Sequence, residues 1–420
     1  MPSGRYNTPS LWTGDEFIVW GGASLGAAAT SSGRRYEPAS DAWRSISAGA
    51  NLPTGRGGHT AVWSGSDMIV WGGQGSGSFQ TGGRYDPATD SWQATSLTNA
   101  PIARINHTAI WTGSQMVVWG GVNASTTQNT GGRYTPATNV WSTTSLTNVP
   151  GPRSIHTAVW TGTEMIIWGG VDGLSYLNTG GRYNPTTNLW TATSVGANVP
   201  TARSTHAAVW TGSEMVVWGG LAGSTTYFNT GGRYTPSTNA WLPTSTGGGV
   251  PSARAFLTAV WSGNEIFVWG GANASSKFGD GSRYSPNSDA WNPILTVGGP
   301  PSARWKHLAA WTGTSMLVWA GATGLGLESN LATGGFYDFA RPGSPGNTLR
   351  LAKVGSTVEL TWDTIDNANF YNVRRCGEPV GCYPDTIVAS PTSATYSEAI
   401  APGESHFYLI ESSNPCGVTP

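Results

Sequence analysis

Two residue types recur in this 420-residue chain at a spacing that could support chemistry. His59, His107, His156, His206 and His307 share one position of a unit about 50 residues long, where Thr8 and Leu257 stand in the two other copies. An imidazole ring around an axis could ligate a metal or exchange protons. A residue that recurs once per unit is instead expected to anchor its own unit by hydrogen bonds, and Leu257 would break a metal ring. Three residues earlier lie Arg5, Arg56, Arg104, Arg153, Arg203, Arg254 and Arg304. Seven guanidinium groups could clamp a carboxylate, or could bind backbone carbonyls and acids between units.

Tryptophan defines what must hold these residues. Of the 22 tryptophans, 20 fall at three repeat positions, as in Trp210, Trp218 and Trp241 of one unit. Each unit opens with an apolar strand such as His156 to Trp160, turns at Thr161-Gly162, and returns through Glu164 to Trp168. It then passes Gly169-Gly170 and a variable loop, and closes with Gly181-Arg182-Tyr183 and a strand carrying Trp190. The near-continuous apolarity of the first strand predicts that both its faces are packed between neighbours.

The diglycine after an apolar strand, the Tyr and Trp at fixed offsets, and the Arg-x-x-His lead-in together resemble kelch repeats, which are about 50 residues long. The resemblance implies an all-β, seven-bladed propeller over residues 1–340. It says little of function, because such propellers serve as enzymes, adaptors and lectin-like modules. The seventh unit, Thr333-Gly334-Gly335-Phe336-Tyr337, lacks the Arg and the closing Trp, so three strands are expected there. Residues 341–346 read as a linker. In residues 347–420, Trp362, Tyr371, Val373, Tyr408 and Ile410 resemble a fibronectin type III β-sandwich lacking its last strand. Cys376 and Cys382 flank a short loop there and are the favoured disulfide, with Cys416 as an alternative partner.

Composition narrows the function classes. Charged residues make up 11% of the chain and the formal net charge is -1, which disfavours nucleic acid and anionic membrane partners. No apolar run is long enough to span a bilayer as a helix. The polar, Lys-poor, Trp-rich make-up suggests a secreted bacterial monomer with its leader encoded upstream of Met1. Copper-radical oxidases are similar in outline, but residues 1–375 hold no cysteine for their crosslinked cofactor. Glu164, Glu214 and Glu265 occupy equivalent hairpins, so none is a singular acid. No catalytic residue, metal or cofactor is assigned.

What differs between units lies in the loops. Tyr176, Tyr227, Phe228, Phe256, Lys277, Phe278, Trp305 and Lys306 are the expected ligand-binding residues, since aromatics with a few cations suit sugars or peptides. The reading is a binding module for a glycan or peptide. A carbohydrate-active enzyme, lyase or glycosidase, with its site at the channel mouth is the alternative.

Overall fold

The computed structural model describes residues 1–23, 28–294, 301–324 and 330–338, and seven strands between 350 and 418. The chain divides into two units, Met1–Tyr337 and Asp338–Pro420.

The first unit is a seven-bladed β-propeller. Six blades are four-stranded antiparallel sheets in sequence order, and the seventh has three strands among the described residues. Blade five is typical, with strands Ala207–Trp210, Met215–Trp218, Gly231–Thr235 and Ala240–Pro243. First strands of adjacent blades touch around the axis, and that of blade seven (Leu308–Trp311) meets that of blade one (Ser10–Trp12), which closes the ring.

Burial departs from the sequence expectation in one respect. The second strand is the one fully enclosed, as in Met165–Trp168, whereas the first strand is mostly half-buried. The reason is geometric, because the first strand lies nearest the axis and leaves part of its surface to the channel. The second is flanked by sheets on both faces, and its apolar run is therefore the core.

Cross-blade contacts repeat with little variation. The second-strand indole of one blade meets the closing indole of the next, as in Trp71 and Trp141 at 5.3 Å and Trp168 and Trp241 at 5.3 Å. The ring closes with the same contact, Trp319 of blade seven against Trp43 of blade one at 5.4 Å. In blades one to six the Tyr of the third strand donates its hydroxyl to an Asn or Asp at the following turn, such as Tyr183 to Asn188 at 2.6 Å. That Asn188 has φ of 57°, a left-handed conformation that Asn tolerates, and its Oδ1 also accepts from the Ser145 N–H of the preceding blade at 2.9 Å.

The second unit contains a three-stranded sheet built on Arg350–Val354, Thr357–Thr361 and Thr395–Ala399. A four-stranded sheet contains Ile387–Ala389, Phe370–Cys376, Phe407–Asn414 and Gly417–Val418. Trp362, Cys382 and Cys416 lie outside the described residues, and with them the disulfide.

Candidate functional site

The arginine ring is buried scaffold. Arg203 donates from one terminal nitrogen to the carbonyls of Gly219 at 2.9 Å and Thr230 at 2.7 Å, and from Nε to that of Thr201 at 2.8 Å. Arg5, Arg56, Arg104, Arg153, Arg254 and Arg304 repeat the pattern, and all seven are at most 1% exposed. Burial brings Arg56, Arg104, Arg153 and Arg203 down to about 10, which leaves them cationic at neutral pH. Their donors are directed at the loop carbonyls and none is presented to an incoming anion.

Rather than anchoring their own blade, the histidines tie blades together. Nε2 of His107, His156, His206 and His307 lies 2.7–2.8 Å from the threonine hydroxyl of the preceding blade, namely Thr60, Thr108, Thr157 and Thr258. Each ring also stands edge-on to that blade's indole, as His206 does to Trp168 at 5.2 Å. Its Cε1 fills the space that the first glycine leaves open. A Cβ on Gly169 would lie 2.6 Å from His206 Cε1, and φ there is 70°. Burial, then the neighbouring arginine, pushes His59, His206 and His307 down to about 3 and lowers His107 and His156. The rings are neutral, and among the described residues no cluster of His, Cys, Asp or Glu is placed to hold a metal.

The two exceptions are instructive. In blade six Leu257 replaces the imidazole, and the residue it packs with in blade five is Ala207 in place of threonine. Where His59 faces blade one, Pro9 stands in the threonine's position, so Nε2 of His59 has no hydroxyl across the joint.

At one mouth of the channel the backbone forms a repeated rim of left-handed corners that sequence reading did not foresee. Asn7, Gly58, Asn106, Ile155, Thr205, Phe256 and Lys306, one per blade, all have φ between 52° and 67°. Five of the seven rim N–H groups reach back to the carbonyl of the preceding rim residue, as in Gly58 to Asn7 at 2.8 Å, Ile155 to Asn106 at 3.1 Å and Lys306 to Phe256 at 3.1 Å. The only signal was positional: all seven stand immediately before the His, Thr or Leu position.

On this common rim the side chains diverge. Phe256 and Trp305 meet edge to face at 5.1 Å. The Lys306 ammonium lies 4.6 Å from the Trp305 ring centre, 5.2 Å from Phe256 and 5.7 Å from Tyr6 of blade one. Lys277 lies 5.4 Å from the same indole. Burial lowers the pKa of both lysines. Among the described residues neither forms an ion pair. Trp305 is held by its Nε1–H, which donates to the Gly324 carbonyl at 3.2 Å. Beside this cluster a cavity of about 320 Å³ opens under Asn7, Gly58 and Asn106, with His59, His107 and Thr60 in its lining.

Of the eight residues expected from sequence, Phe256, Lys277, Trp305 and Lys306 therefore come together, joined by Tyr6. Phe228 and Phe278 are placed differently, their rings 4.2 Å and 4.0 Å from the guanidinium carbons of Arg203 and Arg254. Tyr176 and Tyr227 sit in two-residue hairpins of blades four and five, and Tyr176 donates to the Gly223 carbonyl at 3.5 Å.

The opposite mouth is more uniform. A larger groove of about 820 Å³ is lined there by Trp12, Trp63 and the carboxylates of Asp15, Glu16, Glu37 and Asp86. Glu16 pairs with Arg35 at 3.3 Å and Glu37 with Arg44 at 3.0 Å, while Asp86 caps its own turn. Glu164, Glu214 and Glu265 likewise pair with Arg182, Arg233 and Arg283 of their own blades. The pairing of Glu16, Glu164, Glu214 and Glu265 with a third-strand arginine is thus a contact that repeats from blade to blade.

The fold and these repeated contacts define a seven-bladed propeller of the kelch type. The family model described as the KLHDC2/KLHL20/DRC7 Kelch-repeats domain matches residues 8–220 and 155–332, and the chain belongs to the kelch-repeat family. No curated protein matches it. As a kelch propeller it is a protein-interaction scaffold in general class. No helix among the described residues is long and apolar enough to cross a membrane.

Proposed function

We propose that the chain is a binding module that takes an extended glycan or peptide across the loop-face mouth of its channel. The observation that carries this is the placement of Lys306 among Trp305, Phe256 and Tyr6, on a rim whose backbone is otherwise uniform. Half-buried aromatic surface with a cation and no acid partner leaves interaction capacity for a ligand. An extracellular monomer with a fibronectin type III-like second domain fits this role, since such domains serve as spacers or attachments.

The test is binding of the wild type and Trp305→Ala to glycan and peptide arrays. Signals lost in Trp305→Ala support the module. Blank arrays with both proteins refute it, and turnover of any polysaccharide replaces it with an enzyme.

A further inference from the structure

The ligand class follows from what the mouth leaves unsatisfied, and this inference rests on the binding-module reading. Lys277 and Lys306 both approach the Trp305 indole, at 5.4 Å and 4.6 Å, and no carboxylate among the described residues pairs with either. Elsewhere in the propeller several partly buried cations have acids, such as Arg84 with Asp67 at 2.7 Å and Arg233 with Glu214 at 2.9 Å. Both ammonium groups lie close to one indole with no acid to offset their charge, so an anion reaching that indole would meet cations able to pair with it.

The rest of the rim is uncharged. Asn7, Asn106 and Thr205 offer amide and hydroxyl groups, and Gly58 leaves the adjoining cavity open. Two histidines line that cavity: His107 already holds the Thr60 hydroxyl at 2.8 Å, and His59 has no such hydroxyl because Pro9 stands opposite it.

We propose that this mouth binds an acidic saccharide, its carboxylate or sulfate held by Lys306 and Lys277 and its hydroxyls directed to Asn7, Asn106 and the cavity containing His59. Carboxylate and sulfate sugars present the same anionic chemistry, and the probes separate them.

The experiment is titration calorimetry of the full chain with trigalacturonate, a heparin-derived tetrasaccharide, neutral maltotriose and hexaglutamate, at low and high salt. Trigalacturonate or the heparin fragment is expected to bind at least about tenfold more tightly than maltotriose, with affinity falling as salt rises. The combined Lys277→Gln and Lys306→Gln variant is expected to lose that tenfold and the salt dependence. Lys277→Gln alone gives a smaller loss and serves if the double variant unfolds early. Hexaglutamate binding as tightly as either acidic sugar overturns the saccharide assignment. Maltotriose binding equally to wild type and variant overturns the anion site but leaves the module standing. No binding to any probe, combined with blank arrays, overturns both readings.

Discussion

The joints between blades and the loop-face rim are built on the same seven-fold repetition, yet they use it in opposite ways. At the joints the side chains repeat: Thr to His, indole to indole, Tyr to Asx to the next backbone. Along the rim only the backbone repeats, and Asn7, Gly58, Asn106, Ile155, Thr205, Phe256 and Lys306 share a conformation without sharing chemistry. Joint residues complete buried contacts, so a change there is a stability event. Rim residues owe their conformation to main-chain bonds, so a change there alters what is presented.

Acid should expose this division most strongly. Folded His59, His206 and His307 stay neutral down to about 3, and His107 and His156 are lowered as well. In the unfolded chain imidazoles titrate near 6.5. Below that value the unfolded state takes up protons the fold refuses, so stability is fully present above about 6.5 and declines as pH falls toward 3, by up to about 1.4 kcal/mol per imidazole per pH unit. The three imidazoles held near 3 should alone make urea unfolding at pH 7 and pH 5 differ by on the order of 5 kcal/mol. An unchanged midpoint would show that the imidazoles are not held neutral.

Gly169→Ala comes next, because its Cβ meets His206 Cε1 at 2.6 Å and the Arg203 carbonyl at 2.9 Å. A loss of about 3 kcal/mol in chemical denaturation is expected. Gly162→Ala, at a turn with φ of 98° and nothing within 4 Å, should lose only about 1 kcal/mol. Equal losses would mean that the imidazole does not occupy the glycine's space.

The blade-five to blade-six joint already carries an apolar alternative, Ala207 with Leu257. Copying it as Thr157→Ala with His206→Leu should be milder than the two single changes added together, with a coupling of about 1 kcal/mol. Additive losses in the double-mutant cycle would deny that the pair acts as a unit.

The rim offers the smallest stability effect. Trp305→Ala removes a half-buried ring and one hydrogen bond, and should shift the unfolding free energy by about 1 kcal/mol while abolishing binding. A large drop in stability with binding intact would reverse the distinction between joint and rim.

Much of the fold was legible because tryptophan and glycine recur at fixed intervals, and a repeated strand-turn-strand unit can bury its core only by stacking on copies of itself. The blade count follows from the seven copies of the strand-and-diglycine motif, and the three strands described for the seventh sheet agree with the missing Arg and Trp around Gly334–Asp338. The direction of the histidine bonds did not, since a period locates a residue in its unit but not the neighbour it faces. Phe228 and Phe278 carried a similar ambiguity: a loop aromatic looks the same in sequence whether it covers a buried arginine or awaits a ligand. Tyr6 was overlooked because it meets Lys306 only when blade seven closes on blade one.

The left-handed corner at each rim residue has a practical outcome for protein engineering. Ile155 and Thr205 hold φ of 54° and 52° although branched side chains disfavour that region, so the corner accommodates residues that would resist it in isolation. A combinatorial library randomised at these positions could change the selectivity of the opening while the scaffold beneath stays constant.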